Sequence, residues 1–247
     1  MSIKTTLNYS PNFNSKKRAK KDIKFIIFHY TGMKNGKKAI QKLTKIQSEV
    51  SSHYFIKKNG DIVVMVPELY IAWHAGKSSW KNFKSLNKNS IGIEICNPGH
   101  ELTYKRFSKK QIQSVKKLSQ FLIKKYKIDQ KNILGHSDIA PKRKKDPGEK
   151  FPWKYLAKFR IFIWHSLSVK TLVKNRRKKI NSTDKNFFLG YLSKIGYSIK
   201  NLTKLKKDEF SIFLISAFQR RFRQELINGK IDQECLLISQ NLAKKLN

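Results

Sequence analysis

The stretch IKFIIFH, residues Ile23–His29, is a run of strand length that is apolar apart from Lys24 and ends in a histidine. Runs of consecutive apolar residues such as Phe25–Phe28 are typical of strands that are buried on both faces. A second strand is predicted at Ile91–Cys96, where IGIEIC alternates its residues between two faces, and a short third strand at Asn132–Gly135. Because helical patterns separate these strands, the sequence predicts an α/β or α+β layer fold.

Two amphipathic helices and one hairpin are predicted between the strands. Apolar residues recur at helical spacing in Lys38–Val50 and in Ser108–Tyr126, and Ser108 is the expected N-cap of the second helix. The pair Asn59-Gly60 is a hairpin turn signal between two runs of strand-like residues. These elements fit around a central sheet.

The chain divides into four segments by composition. Residues 1–22 are polar and are expected to form a loop-like extension, residues 23–165 form the main domain, and residues 166–183 form a basic linker. Residues 184–247 are expected to fold as a small three-helix domain. Within the main domain, residues 136–148 are expected to be a polar loop and Pro152–His165 a helix. The three tail helices are predicted at Phe187–Ile195, Lys206–Phe222 and Ile231–Leu246.

Composition excludes several classes of protein. Hydrophobic residues make up 39% of the 247 residues and aromatic residues 12%, which is too apolar for a disordered chain. No apolar run approaches the roughly 18 residues of a membrane-spanning helix. Two cysteines cannot supply a disulfide framework or a cysteine-rich zinc module.

The formal net charge of +38, from 54 Lys and Arg against 16 Asp and Glu, raises the question of nucleic-acid binding. The excess is lysine rather than arginine and is spread along the whole chain with many Asn and Ile residues, a pattern typical of A/T-rich codon usage. We therefore expect no specific nucleic-acid partner. Attraction to an anionic polymer, including a cell-wall glycan, stays open.

Three candidate metal ligands stand at strand ends or in the loops that follow them. His29 ends the first strand, His136 follows the third, and Asp146 lies ten residues further on. Two imidazoles and one carboxylate suit zinc and leave a fourth position for water. Glu94 could move a proton from that water to a leaving nitrogen, and Lys144 could stabilise an oxyanion. By spacing alone the ligands are scattered, and no compact motif joins them.

Five short words of sequence carry a resemblance to a known family. They occur in the order FHYTG at Phe28–Gly32, SSHYFI at Ser51–Ile56, AWHAG at Ala72–Gly76, NSIGIEICN at Asn89–Asn97 and GHSDIAPKRKKDPG at Gly135–Gly148. Together they resemble the zinc-dependent N-acetylmuramoyl-L-alanine amidases, the type-2 amidase family that is related to phage amidases and peptidoglycan recognition proteins. FPW at Phe151–Trp153 also fits, and the resemblance covers residues 20–160.

The resemblance implies a fold, a site and a reaction. It implies a mixed β-sheet flanked by helices, with one zinc ion per chain in an open groove. His29, His136 and Asp146 would hold the zinc, and Glu94 and Lys144 would be catalytic. The reaction would be hydrolysis of the amide between the lactyl group of muramic acid and the L-alanine of the stem peptide. The substrates would be peptidoglycan or anhydro-muropeptides, in cell-wall turnover or recycling.

Four further residues are candidates for substrate binding. His53 and His74 stand inside two of the family words, and each either lines the groove or has a structural role. Trp73 is a candidate for stacking on glycan, although such residues more often pack in a core. Asn97 closes the fourth word. Asp138 is expected to cap or brace its loop rather than to bind the metal.

The tail resembles the three-helix peptidoglycan-binding module. Ser211–Arg223, which contains the letters AFQ, and NGKID at Asn228–Asp232 carry this resemblance. It implies the subfamily of amidases with such a module after the catalytic domain, where the module would position glycan near the groove. A non-catalytic peptidoglycan-binding protein of the same fold is the alternative, although every expected zinc ligand is present.

The first residues predict no export signal. The basic cluster Lys16–Lys21 precedes Ile23–Tyr30, but His29 and Tyr30 interrupt that run and no small-residue cleavage site follows. We therefore expect a cytoplasmic protein, with the periplasm or cell envelope as the alternative. The sequence predicts no particular oligomeric state.

Overall fold

A mixed β-sheet forms the centre of the molecule. The computed structural model describes residues 3–199 and 207–246. Its strands are β1 (Thr5–Leu7), β2 (Phe13–Asn14), β3 (Phe25–Tyr30), β4 (Tyr54–Ile56), β5 (Ile62–Val64), β6 (Ile71–Ala72), β7 (Ser79–Trp80), β8 (Phe83–Lys84), β9 (Ser90–Ile95) and β10 (Ile133–Gly135). Six of them form one sheet in the order β1-β5-β4-β9-β3-β10, in which the pairing of β4 with β5 is antiparallel and the others are parallel. The expected mixed sheet is confirmed.

Helices flank the sheet, as the sequence predicts. They are α1 (Gly36–Thr44), α2 (Lys109–Tyr126), α3 (His136–Ile139), α4 (Trp153–Ala157), α5 (Val169–Asn175), α6 (Ser182–Ile195), α7 (Lys207–Phe222) and α8 (Gln233–Lys244). Among the residues that the structure describes, none of these helices is long and apolar enough to cross a bilayer.

β3 is buried on both faces between its neighbours β9 and β10. Ile26 and Phe28 pack into a core that α2 covers, whereas Phe25 and Ile27 pack into a second core on the opposite face. This double burial explains why the sequence of β3 is an unbroken apolar run. β9 follows the predicted alternation, because its three isoleucines all face the α2 side.

The predicted helices around the sheet differ in their accuracy. α2 begins where expected: the Ser108 hydroxyl accepts from the backbone N–H of Gln111, whose side chain in turn accepts from the N–H of Ser108. α1 is shorter than the predicted Lys38–Val50, because the chain turns away after Thr44 and leaves Val50 exposed. The apolar spacing therefore continues past the true end of the helix.

The prediction that residues 1–22 form a polar loop is wrong for two segments. β1 extends the sheet by parallel pairing with β5, and β2 pairs with β6. Arg18 is buried, and its guanidinium donates to the carbonyl oxygens of Glu68, Asn87 and Lys88. The three side chains of β1 are exposed, so they carry no apolar pattern that would reveal a strand.

Three other local predictions are corrected by the structure. The segment after β10 is not a loop throughout, because its first four residues form α3. The helix predicted at Pro152–His165 is limited to α4, after which Ile161 and Phe162 enter the core. The segment 166–183 contains α5, and Arg176 then forms two hydrogen bonds of 2.7 Å with the carboxylate of Glu234 in α8. This basic segment therefore contacts α8 through Arg176, although no residue of α5 is buried.

The tail forms the three predicted helices α6, α7 and α8, but these helices share a core with the sheet. Leu192 of α6 and Phe218 of α7 belong to the same apolar cluster as Phe25, Ile27 and Leu134. The C-terminal helices thus cover the sheet face opposite α2. The sequence predicts separate domains before residue 165 and after residue 184. In the structure these two parts pack against each other and share one apolar core.

The motifs AFQ (Ala217–Gln219) and NGKID (Asn228–Asp232), on which the resemblance of the tail is based, form the connection between α7 and α8. The Gln219 side-chain oxygen accepts from the backbone N–H groups of Asn228 and Gly229 at 3.0 and 2.9 Å, and its amide donates to the carbonyl of Lys230. Asp232 caps α8. Because Gln219 is fully buried in these contacts, the motif reports the architecture of the helices rather than an exposed glycan contact.

Arg18→Ala is expected to lower the free energy of unfolding by about 2–3 kcal/mol, because the buried carbonyl oxygens that Arg18 binds lose their donor. Urea unfolding followed by circular dichroism measures the loss. Lys16→Ala removes an exposed neighbouring cation and is the matched control, with an expected change below about 0.5 kcal/mol. Equal effects of the two substitutions would mean that residues 1–22 are a loose extension after all.

Candidate metal centre and active site

The carboxyl ends of three neighbouring parallel strands meet at one edge of the sheet. His29 is the next-to-last residue of β3 and lies in register with Glu94 of β9. On the other side of β3, β10 ends at Gly135, so His136 directly follows it. This edge is where open α/β sheets bind their ligands. Parallel pairing therefore brings His29, Glu94 and His136 to one place.

Three buried side chains converge there, and they are the three predicted metal ligands. The Nδ1 atoms of His29 and His136 are 2.9 Å apart. Asp146 Oδ2 lies 3.1 Å from the first of these nitrogens and 3.0 Å from the second. The structure thus joins residues that are more than a hundred positions apart in sequence into one compact group of donor atoms.

The second ring nitrogen of His136 fixes the position of its proton. His136 Nε2 lies 3.2 Å from the carbonyl oxygen of Ala75. A carbonyl oxygen only accepts, so Nε2 carries the proton and Nδ1 keeps a lone pair in the neutral ring. Contacts of this kind orient the histidines of metal sites.

A chain of hydrogen bonds fixes the proton of His29 in the same way. Ser90 donates its only hydroxyl proton to the carbonyl of Leu86 at 2.7 Å, so it accepts from His74 Nε2 at 3.1 Å. His74 Nδ1 therefore has a lone pair and accepts from His29 Nε2 at 3.0 Å. It follows that His29 Nδ1 also keeps a lone pair.

The pKa values of His29 and Asp146 are both shifted toward the form that binds a metal ion. Burial, and then His136, lower the pKa of His29 to about 4. Burial alone would raise the pKa of Asp146, but His136 and His29 hold it well below its usual value. Two imidazole nitrogens and one carboxylate oxygen thus lie within 2.9–3.1 Å of one another. Nitrogen and oxygen donors of these kinds, held this close together, fit a metal ion.

His74 reaches His29 because β9 has a glycine at position 92. A Cβ atom on Gly92 would lie 2.4 Å from Cγ of the His74 ring. Any other residue would push the imidazole away from the sheet. The glycine inside IGIEIC is the sequence signal for this close approach.

Glu94 lines the same cleft, which has a volume of about 330 Å³. Its Oε2 is buried and has no hydrogen-bond partner among the residues that the structure describes. Burial, and then the neighbouring Asp146, raise the pKa of Glu94 to about 8. A carboxyl group with such a pKa can both accept and return a proton near neutral pH. Lys144 lines the cleft as well.

The four candidate substrate-binding residues separate into two pairs. Trp73 and His74 line the cleft, whereas His53 and Asn97 are not among its lining residues. The Asn97 side chain is buried, donates to a backbone carbonyl at 2.8 Å and accepts from the N–H of Gly99 at 3.0 Å. Asn97 therefore shapes the loop after β9, which corrects its expected contact with substrate.

His53 takes the structural role, which is one of the two roles expected for it. It is fully buried, its Nδ1 accepts from the N–H of Gly92 at 2.9 Å, and its Nε2 donates to the carbonyl of Tyr70 at 3.1 Å. Burial, and then the guanidinium of Arg18, lower the pKa of His53 to about 3. The ring of His53 packs edge-on against His74, so it helps to hold His74 in position.

Several residues that line the cleft were not predicted. Tyr30 follows the ligand His29 at the strand end, and its hydroxyl lies 2.9 Å from His100 Nδ1. His100 Nε2 in turn lies 3.0 Å from the carboxylate of Glu149. Tyr30 has two sequence signals, its position directly after a ligand and its place in the stretch FHYTG. The other unpredicted lining residues include Thr31, Met33, Lys42, Arg143 and Lys145.

Two imidazoles and one carboxylate, beside a second carboxyl group in a cleft, are typical of single-metal hydrolases. Residues 19–149 match the family model Amidase_2, described as N-acetylmuramoyl-L-alanine amidase. The chain belongs to this family.

Relatives and solved structures agree with this assignment. The N-acetylmuramoyl-L-alanine amidase AmiD of Escherichia coli (strain K12) is 35% identical over 236 residues, which cover 90% of this chain and 83% of AmiD. The complex of E. coli AmiD with anhydro-N-acetylmuramic acid-L-Ala-D-gamma-Glu-L-Lys matches with a TM-score of 0.79 and 32% identity, over 94% of this chain and 93% of that one. AmpDh3 from Pseudomonas aeruginosa matches with a TM-score of 0.80 and 29% identity, over 99% and 98% of the two chains.

The stability of the protein is expected to fall as pH decreases from 6.5 toward 3, with His53 as one cause. Above pH 6.5 the His53 ring is neutral in the folded and in the unfolded protein. Below pH 6.5 the ring binds a proton in the unfolded chain but stays neutral in the folded protein, where its pKa is about 3. This difference costs up to about 1.4 kcal/mol per pH unit. Urea unfolding of the parent and of His53→Asn, under identical buffer and metal conditions, measures it.

The side-chain amide oxygen that His53→Asn introduces can still accept from the N–H of Gly92, but the amide has no proton to gain in this pH range. We therefore expect the variant to lose less stability per pH unit than the parent between pH 7 and pH 5. Parallel pH profiles would contradict a neutral, buried His53.

Proposed function

We propose that this protein is a zinc-dependent amidase that hydrolyses the bond between N-acetylmuramic acid, or its 1,6-anhydro form, and L-alanine. Its substrates would be peptidoglycan or muropeptides, in cell-wall turnover or recycling. The observation that carries the proposal is the group of three lone-pair donors from His29, His136 and Asp146, with Glu94 beside them in the cleft. One zinc ion per chain would bind to these three residues.

Zinc suits this donor set because it accepts both imidazole and carboxylate ligands, and three protein ligands leave a coordination position free. When bound, it supplies Lewis-acid polarisation of the amide carbonyl and of the attacking water. The protein contributes the fixed orientation of the ligands through the contacts of His136 with Ala75 and of His29 with His74.

Two side chains of the cleft supply the remaining chemistry. Glu94 accepts a proton from the attacking water and passes it to the amide nitrogen, so that the amine leaves as a neutral group. Its raised pKa suits both halves of this transfer, because the carboxyl group must hold the proton between them. The ammonium group of Lys144 stabilises the negative charge that develops on the carbonyl oxygen.

The charge of the cleft suits an acidic stem peptide. Lys42 and Arg143 line it in addition to Lys144, and a fourth cation, Lys145, forms an ion pair with Glu101 at 3.1 Å. The ligands named for the solved relatives, an anhydro-N-acetylmuramic acid tripeptide in AmiD and an anhydromuramic pentapeptide in AmpDh3, are molecules of this kind. Trp73 offers an aromatic ring at the cleft for contact with the sugar or the peptide.

A non-catalytic peptidoglycan-binding protein is the alternative function. Such a protein would have no use for a buried carboxyl group without a hydrogen-bond partner, because burying that group costs free energy. Glu94 has one such oxygen, the buried Oε2, among the described residues, and the three expected zinc ligands lie beside it. Both observations favour the enzyme.

The decisive experiment is mass spectrometry of the products from anhydro-muropeptides and from intact sacculi, side by side. We expect the zinc-loaded protein to release free stem peptides that begin with L-alanine. We expect a chelator to stop this release and added zinc to restore it. Intact muropeptides after incubation with the zinc-loaded protein would favour the binding protein instead.

Glu94→Ala is expected to keep zinc but to reduce kcat by about 10²–10⁴-fold, the usual contribution of a general base. His136→Ala is expected to lose both zinc and turnover, because it removes a ligand. Metal content by atomic absorption and peptide release by chromatography measure the two effects. Glu225→Gln changes an exposed carboxylate of the tail and is the control, with unchanged turnover. Full activity of Glu94→Ala would remove Glu94 from the mechanism.

The compartment and the basic surface need separate tests. The cytoplasm remains the expected compartment, with the envelope as the alternative, and cell fractionation with an antibody against the full chain distinguishes them. Binding to DNA, if measured, is expected to match binding to an unrelated polyanion and to fall steeply with salt. A strong preference for one DNA sequence would instead indicate a nucleic-acid partner.

A further inference from the structure

Asp138 is a buried carboxylate whose side-chain partners come from the C-terminal helical unit, defined here as residues 182–199 and 207–246. It is 1% exposed. Its Oδ2 accepts from Arg221 Nη1 at 2.8 Å, and its Oδ1 accepts from the Tyr197 hydroxyl at 2.6 Å. The backbone N–H of Gly135 donates to it as well. The negative charge of Asp138 in the catalytic part is therefore balanced by the positive charge of Arg221 in the helical unit.

This carboxylate belongs to the segment that carries a metal ligand. Asp138 and His136 both lie in α3, a helix of one turn. A single turn is too short to be stable through its own hydrogen bonds, so tertiary contacts must hold it. Arg221 supplies two of them, because its Nη2 also donates to the carbonyl of Ile133 in β10 at 3.1 Å. Arg221 thus fixes the strand before His136 and the helix that contains it.

The helical unit also holds the segment that follows the second ligand. The Gln224 side-chain amide donates to the carbonyl of Phe151 at 2.9 Å and to that of Glu149. These residues lie shortly after Asp146 in the chain. The N–H of Ser137 donates to the carbonyl of Asp146 at 2.9 Å, so the two ligand segments are also joined to each other.

Arg221 is itself held firmly in this position. Its side chain is 1% exposed, and its guanidinium lies 5.1 Å from the ring centre of Trp153 and 4.8 Å from that of Phe222. Aromatic faces stabilise a buried cation by their electrostatic field. A carboxylate and its two donors, packed in this way, have one well-defined arrangement.

We propose that the C-terminal helical unit is a positioning element of the metal centre. Through Tyr197, Arg221 and Gln224 it fixes the two segments that carry His136 and Asp146, and the affinity for zinc depends on these contacts. Ligands that are already held in place lose less conformational entropy when the metal binds than ligands on free loops. The identity of the metal rests on the proposed function, whereas the contacts are independent of it.

Tyr197→Phe is the sharpest test, because it removes one hydroxyl and keeps the ring. We expect zinc to bind about tenfold more weakly, at the low end of the effects seen when an outer partner of a metal site is removed. Competition with a chromophoric chelator measures the affinity of the full-length protein. The matched control is Tyr54→Phe, which also removes a buried tyrosine hydroxyl from a carboxylate, that of Glu68, on the opposite face of the sheet.

A second pair of variants separates positioning from general stability. Arg221→Met breaks the contact with Asp138, whereas Arg223→Met breaks an equally buried pair with Asp232 inside the helical unit. Both are expected to lower Tm, but Arg221→Met is expected to weaken zinc binding at least tenfold and Arg223→Met less than twofold. If Arg221→Met does not fold, Tyr197→Phe and its control decide the question.

The coupling must act in both directions, because linkage is reciprocal. Zinc is therefore expected to slow amide hydrogen exchange around residues 221–224, although these residues do not bind it. A zinc affinity of Tyr197→Phe within twofold of the parent, or an equal loss in Tyr54→Phe, would overturn the proposal. A parent that binds zinc but leaves muropeptides intact would refute the proposed function and not the coupling. A parent that binds no zinc would refute both.

Discussion

The parallel pairing of β3 with β9 and β10 is the constraint on which the rest of the structure depends. It aligns three carboxyl ends at one sheet edge and sets His29 opposite Glu94 in register. A shift of one residue would turn both side chains to the other face of the sheet, where α2 covers the core. The apolar residues that make β3 central are therefore the same ones that place the chemistry. Asp146, the third ligand, reaches this edge from the loop after α3.

The tautomers of the two histidine ligands are set by carbonyl oxygens that lie outside the metal site. Ala75 determines the tautomer of His136, and Leu86 determines that of His29 through Ser90 and His74. Both carbonyl oxygens come from the segment between β6 and β9, which contains the short strands β7 and β8 and one 3-10 helical turn at Leu86–Asn89. This connecting segment is thus as necessary for metal binding as the long strands. Its hydrogen bonds convert a general preference of imidazole for metals into one fixed set of donors.

How far the sequence predicts the molecule depends on which residues carry the signal. The strands β3 and β9 and the N-cap of α2 are predictable, because burial and helix capping produce recognisable patterns in the amino-acid sequence. β1 is not, because its side chains are exposed. The family words identify the ligands, but they do not distinguish His74, which lines the cleft, from His53, which lies beneath it. That distinction depends on Gly92 and on a packing contact between distant segments, which no local pattern contains.

The common core of the sheet and the tail has an evolutionary consequence. Phe25, Ile27 and Leu134 form an apolar surface that α6 and α7 cover. A gene that lost the tail by a single deletion would leave this surface open to water, and the product would be prone to aggregate. Exchange of the tail between genes is restricted for the same reason, since any replacement must fit the shape of that surface. The two parts are therefore expected to be inherited together and to change by compensating substitutions.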